Sequence, residues 1–180
     1  RDVLVISAPG RDDIALDVTT YYKDVRNLIG TKIFDIGNGN KYSQYVNRDY
    51  GNVKGVIVSL EKRHTAGFSA TVDYTFQIAK GNASDPNSVF LDNQTDPPLE
   101  SQKQLAPLDW DRRHSLNITA TIGSPTEFTV TLVGSLASGL PYTPAFQNQR
   151  TGLVNSDNRP MIANLDLYAS KYFTLFGYSF

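Results

Sequence analysis

Residues 68–78 alternate without a break: Phe68, Ala70, Val72, Tyr74, Phe76 and Ile78 are separated by Ser69, Thr71, Asp73, Thr75 and Gln77. A period of two places these sets on opposite faces of a β-strand. The polar set is Ser, Thr, Asp and Gln rather than the Lys and Glu of an ordinary solvated face. Such a strand suits lipid on one side and a wet lumen on the other.

The same period recurs along the chain. Ile14, Leu16, Val18 and Tyr22 oppose Ala15, Asp17, Thr19 and Tyr21, with Thr20 the polar residue on the apolar side. From Lys54 onward, Val56, Val58 and Leu60 oppose Gly55, Ile57, Ser59 and Glu61, where only Ile57 departs from the pattern. His114, Leu116, Ile118, Ala120 and Ile122 oppose Ser115, Asn117, Thr119 and Thr121. Phe128, Val130, Leu132 and Leu136 oppose Thr129, Thr131, Val133 and Ser135. Near 164–173, Leu165, Leu167 and Ala169 oppose Asp166, Tyr168 and Ser170. The expected class is all-β, with about six antiparallel up-and-down strands of a transmembrane outer-membrane β-barrel.

Composition narrows the alternatives. A net charge of -1 and a pI near 6.1 argue against a dedicated nucleic-acid binder. The mean hydropathy is -0.32, and no run approaches the ~20 apolar residues of a spanning helix. Alternating barrel strands hide their hydrophobicity in such averages. With no cysteines, disulfide scaffolds, thiolate zinc sites and cysteine nucleophiles are all excluded. The chain starts at Arg1 without a signal-peptide core, so a processed or excised piece is expected.

Connections alternate in length. Residues 62–67 and 123–127 read as tight hairpins, whereas 30–52, 80–111 and 138–160 are long and rich in Asn, Asp, Gly, Pro and Gln. Structureless loops of this length are uncommon in a compact soluble domain. An outer-membrane barrel has short periplasmic turns at one rim and longer extracellular loops at the other. On that scheme the strands at Ile14, Phe68 and Phe128 run outward, and those at Lys54, Arg113 and Ile162 run inward. Tyr21, Tyr22, Tyr74, Phe76, Trp110, Tyr142, Tyr172 and Phe173 fall near predicted strand ends, where an aromatic girdle would sit.

Five segments then resemble, in order, the barrel of TonB-dependent outer-membrane receptors. They are LDVTTYYKDVRNLI at 16–29, GVIVSLEKR at 55–63, PLDWDRRHSLN at 107–117, SGLPYTP at 138–144, and Asn158-Arg159-Pro160 followed by LDLYASKYF at 165–173. The resemblance implies a barrel of about 22 strands filled by an N-terminal plug. This chain would be a C-terminal part of that barrel, 1–180 forming one segment, with the plug domain absent. Phe176, Tyr178 and Phe180 alternate like a terminal aromatic strand, but the family pattern has one more strand after LDLYASKYF, which favours truncation within the last hairpin.

The resemblance further implies the bacterial outer membrane as location and active uptake of a large, scarce nutrient: a siderophore, cobalamin or an oligosaccharide. Implied partners are outer-membrane lipid, the missing plug and remaining strands, the TonB energy-coupling complex reached through the missing N-terminal region, and a surface lipoprotein. No nucleic acid and no cofactor are expected. Asp17, Lys23, Glu61, Asp73, Asn117 and Asp166 would line the lumen and meet the plug. Tyr42, Tyr45, Trp110, Tyr142 and Phe146, in the outer loops, would pack on a ligand.

Other constellations favour plain readings. His64 and His114 lack a second ligand at metal spacing and read as turn and strand-entry residues. Asp109, Asp111, Arg112, Arg113 and His114 surround Trp110, and an ion-paired loop base outweighs acid–base catalysis. Asp85, Asp92, Asp96 and Glu100 offer oxygen ligands without EF-hand spacing, so no metal is assigned. The sequons at Asn82, Asn93 and Asn117 would be accidental in this setting. No nucleophile elbow or phosphate loop is present, so no enzyme is expected. The competing class is a soluble β-sandwich for adhesion or carbohydrate binding, with its apolar faces packed together.

Overall fold

A computed structural model describes residues 2–9, 13–94, 105–124, 126–147, 149–175 and 178–179. Its main sheet is built from β1 (Asp2–Pro9), β2 (Ile14–Gly37), β3 (Asn40–Thr65), β4 (Phe68–Gly81), β5 (His114–Ser124), β6 (Phe128–Ala137) and β7 (Ile162–Lys171). Each strand pairs antiparallel with the next, giving an up-and-down meander. The sheet is not closed: β1 and β7 are its edges. Among the described residues the only helix is α1 (Ser88–Asn93).

Register carries the period of two from β2 to β7. Leu16, Leu60, Val72, Ile118, Gly134 and Leu165 are successive cross-strand partners and form one apolar row. Asp17, Ser59, Asp73, Asn117, Ser135 and Asn164 form a polar row on the opposite face. A one-residue slip at any strand would have mixed the two faces. Hydroxyl and carboxylate groups bond along the polar face: Ser59 Oγ donates to Asp73 Oδ1 at 2.6 Å, and Thr121 and Thr131 share a bond of 2.9 Å.

No described residue on the apolar face of the sheet is buried. The buried hydrophobic residues are Ala79, Ala106, Leu108 and Ala137, all near the rim that carries the long connections. Among the described residues, therefore, nothing forms a second layer over the apolar rows. Ile122 is 56% exposed, and Leu165 and Leu167 on edge strand β7 are 71% and 67% exposed.

Short turns cluster at one rim. Ala66 and Gly67 both have positive φ (52° and 75°), the type I′ geometry whose twist suits flanking strands. Beside this turn, Lys62 Nζ donates to Asp13 Oδ2 at 2.9 Å and to Thr65 Oγ1 at 2.6 Å, clamping two neighbouring turns together. The hydrogen bonds from Lys62 and Thr65 hold the Asp13 carboxyl below the ordinary carboxylate range. A depressed carboxyl adds stability above its unfolded pKa and loses it as pH falls through the folded value. Carbon-13 NMR of Asp13 should show a midpoint below that of a free aspartate, and Lys62→Gln should return it to the ordinary range.

Two expectations need correction. Residues 30–52 are not a loop: β2 and β3 stay paired to a tip at Asn38 and Gly39, whose φ values of 56° and 78° make another type I′ turn. A bulge between Val25 and Leu28 interrupts the ladder, with Asn27 at φ 59°. The sheet also contains a seventh long strand, β1, ahead of the expected six. Thr174–Leu175 pairs back on Tyr178–Ser179, while Phe176 and Phe180 lie outside the described residues.

Candidate functional site

The long-loop rim gathers segments from three connections. Gly51 and Gly81 lie on the polar face, continuing the alternation of Gly55 and Gln77. A Cβ at Gly81 would stand 2.8 Å from Leu108 Cδ2, and one at Gly51 would stand 3.9 Å from Leu108 Cδ1. The missing side chain at Gly81 makes room for Leu108 against the polar face, where Ala79, Ala106 and Leu108 make a small core.

Asp111 fastens this segment. Gln77 N–H donates to the Arg113 carbonyl at 3.1 Å, but beyond β5 the next acceptor for β4 is a side chain: Ala79 N–H donates to Asp111 Oδ1 at 2.8 Å. Asp111 Oδ2 accepts from Arg113 Nε at 2.7 Å, and the carboxylate is 1% exposed. Oδ1 thus continues the ladder where the chain leaves the sheet, while Oδ2 holds the Arg113 guanidinium. The expected ion-paired loop base is present, with Trp110 half-exposed beside it.

Asn155 joins the third connection to the second. Its Nδ2 donates to the Pro107 carbonyl at 2.8 Å and to Asp109 Oδ1 at 2.6 Å, and its backbone N–H donates to Thr143 Oγ1 at 3.0 Å. Its φ of 54° lies in the left-handed region that Asn tolerates. Asn155→Ala removes both donors and adds backbone strain, an expected local loss of about 1–3 kcal/mol. Faster amide exchange at Ala106, Leu108 and Asp109, with the sheet amides unchanged, is the readout.

These contacts enclose a polar recess of about 200 Å³, lined among others by Arg48, Asp49, Asn82, Ser84, Asp109 and Asn155. Gly81, Ala106 and Pro107 also line it, which puts it beside the polar face at this rim. Asp49 is buried and accepts from Asn82 Nδ2 at 2.9 Å, with Arg48 Nε at 3.4 Å. Ser84 Oγ accepts the Asp109 N–H at 3.0 Å. A cavity smaller than the ~300–1,000 Å³ of drug-sized pockets admits a portion of a large ligand. Its mixed carboxylates, guanidiniums and amides suit hydroxyl-, amide- or carbonyl-bearing groups.

The expected ligand aromatics do not converge here. None of Tyr42, Tyr45, Trp110, Tyr142 and Phe146 is among the described residues lining the recess. Tyr42 stacks on Phe34 at 5.1 Å and lines a smaller cavity with Ile33 and Phe90 of α1. Tyr45 donates to Asn87 Oδ1 at 2.8 Å, tying the β2–β3 hairpin to the approach of α1. Tyr142 donates to Asp157 Oδ2 at 3.0 Å, and that carboxylate pushes its phenol pKa up. Phe146 is 69% exposed.

Arg48, Asp49, Asn155 and Leu108 were not singled out from sequence; apart from the Arg48–Asp49 pair, their contacts are with residues distant along the chain. Asp17, Lys23, Glu61, Asp73, Asn117 and Asp166 share the polar face, with Asp17, Asp73 and Asn117 at one level. His64, expected in a turn, is instead an exposed residue at the end of β3, and His114 Nδ1 lies 2.8 Å from the Tyr74 hydroxyl. Of the suggested calcium set, Asp85 Oδ1 caps the Asn87 N–H at 2.7 Å, while Asp96, Glu100 and the Asp92 side chain lie outside the described residues. Among the described residues, no group of three or more His, Cys, Asp or Glu could hold a metal. No protein-family model, curated protein or solved structure matches the chain.

Proposed function

We propose that this chain forms part of the barrel wall and outer loops of a TonB-dependent outer-membrane receptor. The observation that carries the reading is the continuous apolar face, six strands wide from β2 to β7, with no second layer on it among the described residues. Water penalises so large an apolar surface, whereas hydrocarbon does not. The competing soluble sandwich needs a second sheet against that face.

Dimensions support the wall. On β3 the apolar face is bounded by Lys54 and Lys62, a span of about 27 Å at ~3.4 Å per residue, close to the ~25 Å apolar band of outer-membrane barrels. Strand β2 extends over roughly 80 Å at the same rise, far beyond a hydrocarbon core of about 30 Å. The distal β2–β3 hairpin therefore stands in solvent on the long-loop side, which is the outer side. The short turns face the periplasm. Unpaired edges are too costly in lipid, so other strands of the barrel flank β1 and β7.

In this reading the polar face lines the lumen and meets the plug through Asp17, Lys23, Glu61, Asp73, Asn117 and Asp166. The recess at the long-loop rim opens toward the lumen mouth, where outer loops capture a siderophore, cobalamin or oligosaccharide. Energy from the TonB complex then rearranges the plug. The chain itself performs no catalysis.

Nitroxide labels placed singly at 68–78 in the full-length protein, folded in lipid, test the reading. Even positions should be reached by oxygen and odd positions by a water-soluble nickel chelate. A label at Val72 that neither reagent reaches would put it in a dry protein interior and remove the wall.

A further inference from the structure

We propose that Lys54 and Lys80 hold a phosphate group of an anionic glycolipid at the outer border of the apolar face. The inference rests on the wall reading. Lys54 pairs with Tyr22 and with Ile78, and Lys80 lies two residues beyond Ile78 on β4, so both project from the apolar face. As diagonal neighbours on adjacent antiparallel strands they are separated by about 7–8 Å. Both are exposed, and neither ammonium has an ion-pair or hydrogen-bond partner among the described residues.

The opposite border is built differently. There Lys62, on the same face of the same strand, is neutralised by Asp13. At the outer border the acid on that face is Asp24, in the row of Asn52 and Lys80, and it is engaged by Arg26 at 3.0 Å. At that spacing two flexible lysine side chains can bring both ammonium groups to one anion, whose charge offsets their mutual repulsion. An anion held there stands directly above Tyr22, Ile78, Val56 and Phe76, which offer apolar contact to an acyl chain. A phosphorylated glycolipid satisfies both demands at once, whereas a soluble anion uses only the first.

The test uses the full-length protein extracted in mild detergent and native mass spectrometry with diphosphorylated lipid A as probe. Each lysine near an anionic surface is worth about fivefold in affinity, so Lys54→Gln with Lys80→Gln should weaken retention roughly 30-fold. The paired Lys→Arg changes should retain it, and Lys32→Gln, an exposed lysine on the distal β2–β3 hairpin, should leave it unchanged. Unaltered retention in the double Gln variant overturns the site. So does equal retention of dephosphorylated lipid A, or displacement by millimolar inorganic phosphate. A dry label at Val72 marks failure of the wall reading instead; a lipid-exposed Val72 with unaltered retention marks failure of the lysine site alone.

Discussion

Replacing Val72 by arginine is expected to lower the stability of the full-length protein in lipid vesicles by about 2–4 kcal/mol, the cost of a charge near the bilayer midplane. Val72 lies midway along the apolar face of β4, between Leu60 and Ile118. Thr71→Arg, one residue away, should cost far less, because its side chain enters the polar face opposite Glu61. Urea titration of both variants measures the difference, a factor of about 30–1,000 in the folding equilibrium for Val72→Arg. Equal costs at the two positions would mean that both faces meet the same medium.

Asp111→Ala should produce the second large effect, about 2–3 kcal/mol, confined to the long-loop rim. The substitution strands the Ala79 N–H and leaves Arg113 without its carboxylate. Arg113 is about one-third exposed and can turn to water, which keeps the cost below that of a fully buried pair. Asp111→Asn preserves one acceptor and should recover part of the loss. Amide exchange at Ala79 and Leu108 should rise in Asp111→Ala while β5 and β6 keep their protection; unchanged exchange at Ala79 would show that water replaces the carboxylate without cost.

The wall was legible in the sequence because its signal is local. Phe68 to Ile78 alternate regardless of what pairs with them, and the same holds for the neighbouring strands. Strand β1 lacks that contrast: Val3 and Val5 alternate with Leu4 and Ile6, so both faces read apolar and no period of two emerges. The long hairpin carried a usable mark, Asn38-Gly39, since that dipeptide favours positive φ at both turn positions. Its polar flanks, which cover no core, concealed the pairing.

The candidate site was legible only in part. Asp109, Asp111 and Arg113 stand close together in sequence, and their ion pairing could be expected. That Asp111 substitutes for a strand acceptor could not, because the Ala79 amide lies 32 residues upstream. Asn155 reaches Pro107 and Asp109 across 48 and 46 residues, a distance over which no periodicity operates.

By itself, the sequence determined that the chain is all-β with one apolar and one polar side, because a strand's two faces follow directly from alternate residues. Only tertiary structure decided that those sides join into two continuous faces over the six strands β2 to β7, since register depends on pairing between distant segments. It also decided that, among the described residues, the apolar face carries no second layer and the buried hydrophobic side chains are three alanines and Leu108 at the long-loop rim. Burial depends on what the rest of the chain packs against each surface, and alternation within a strand is blind to that.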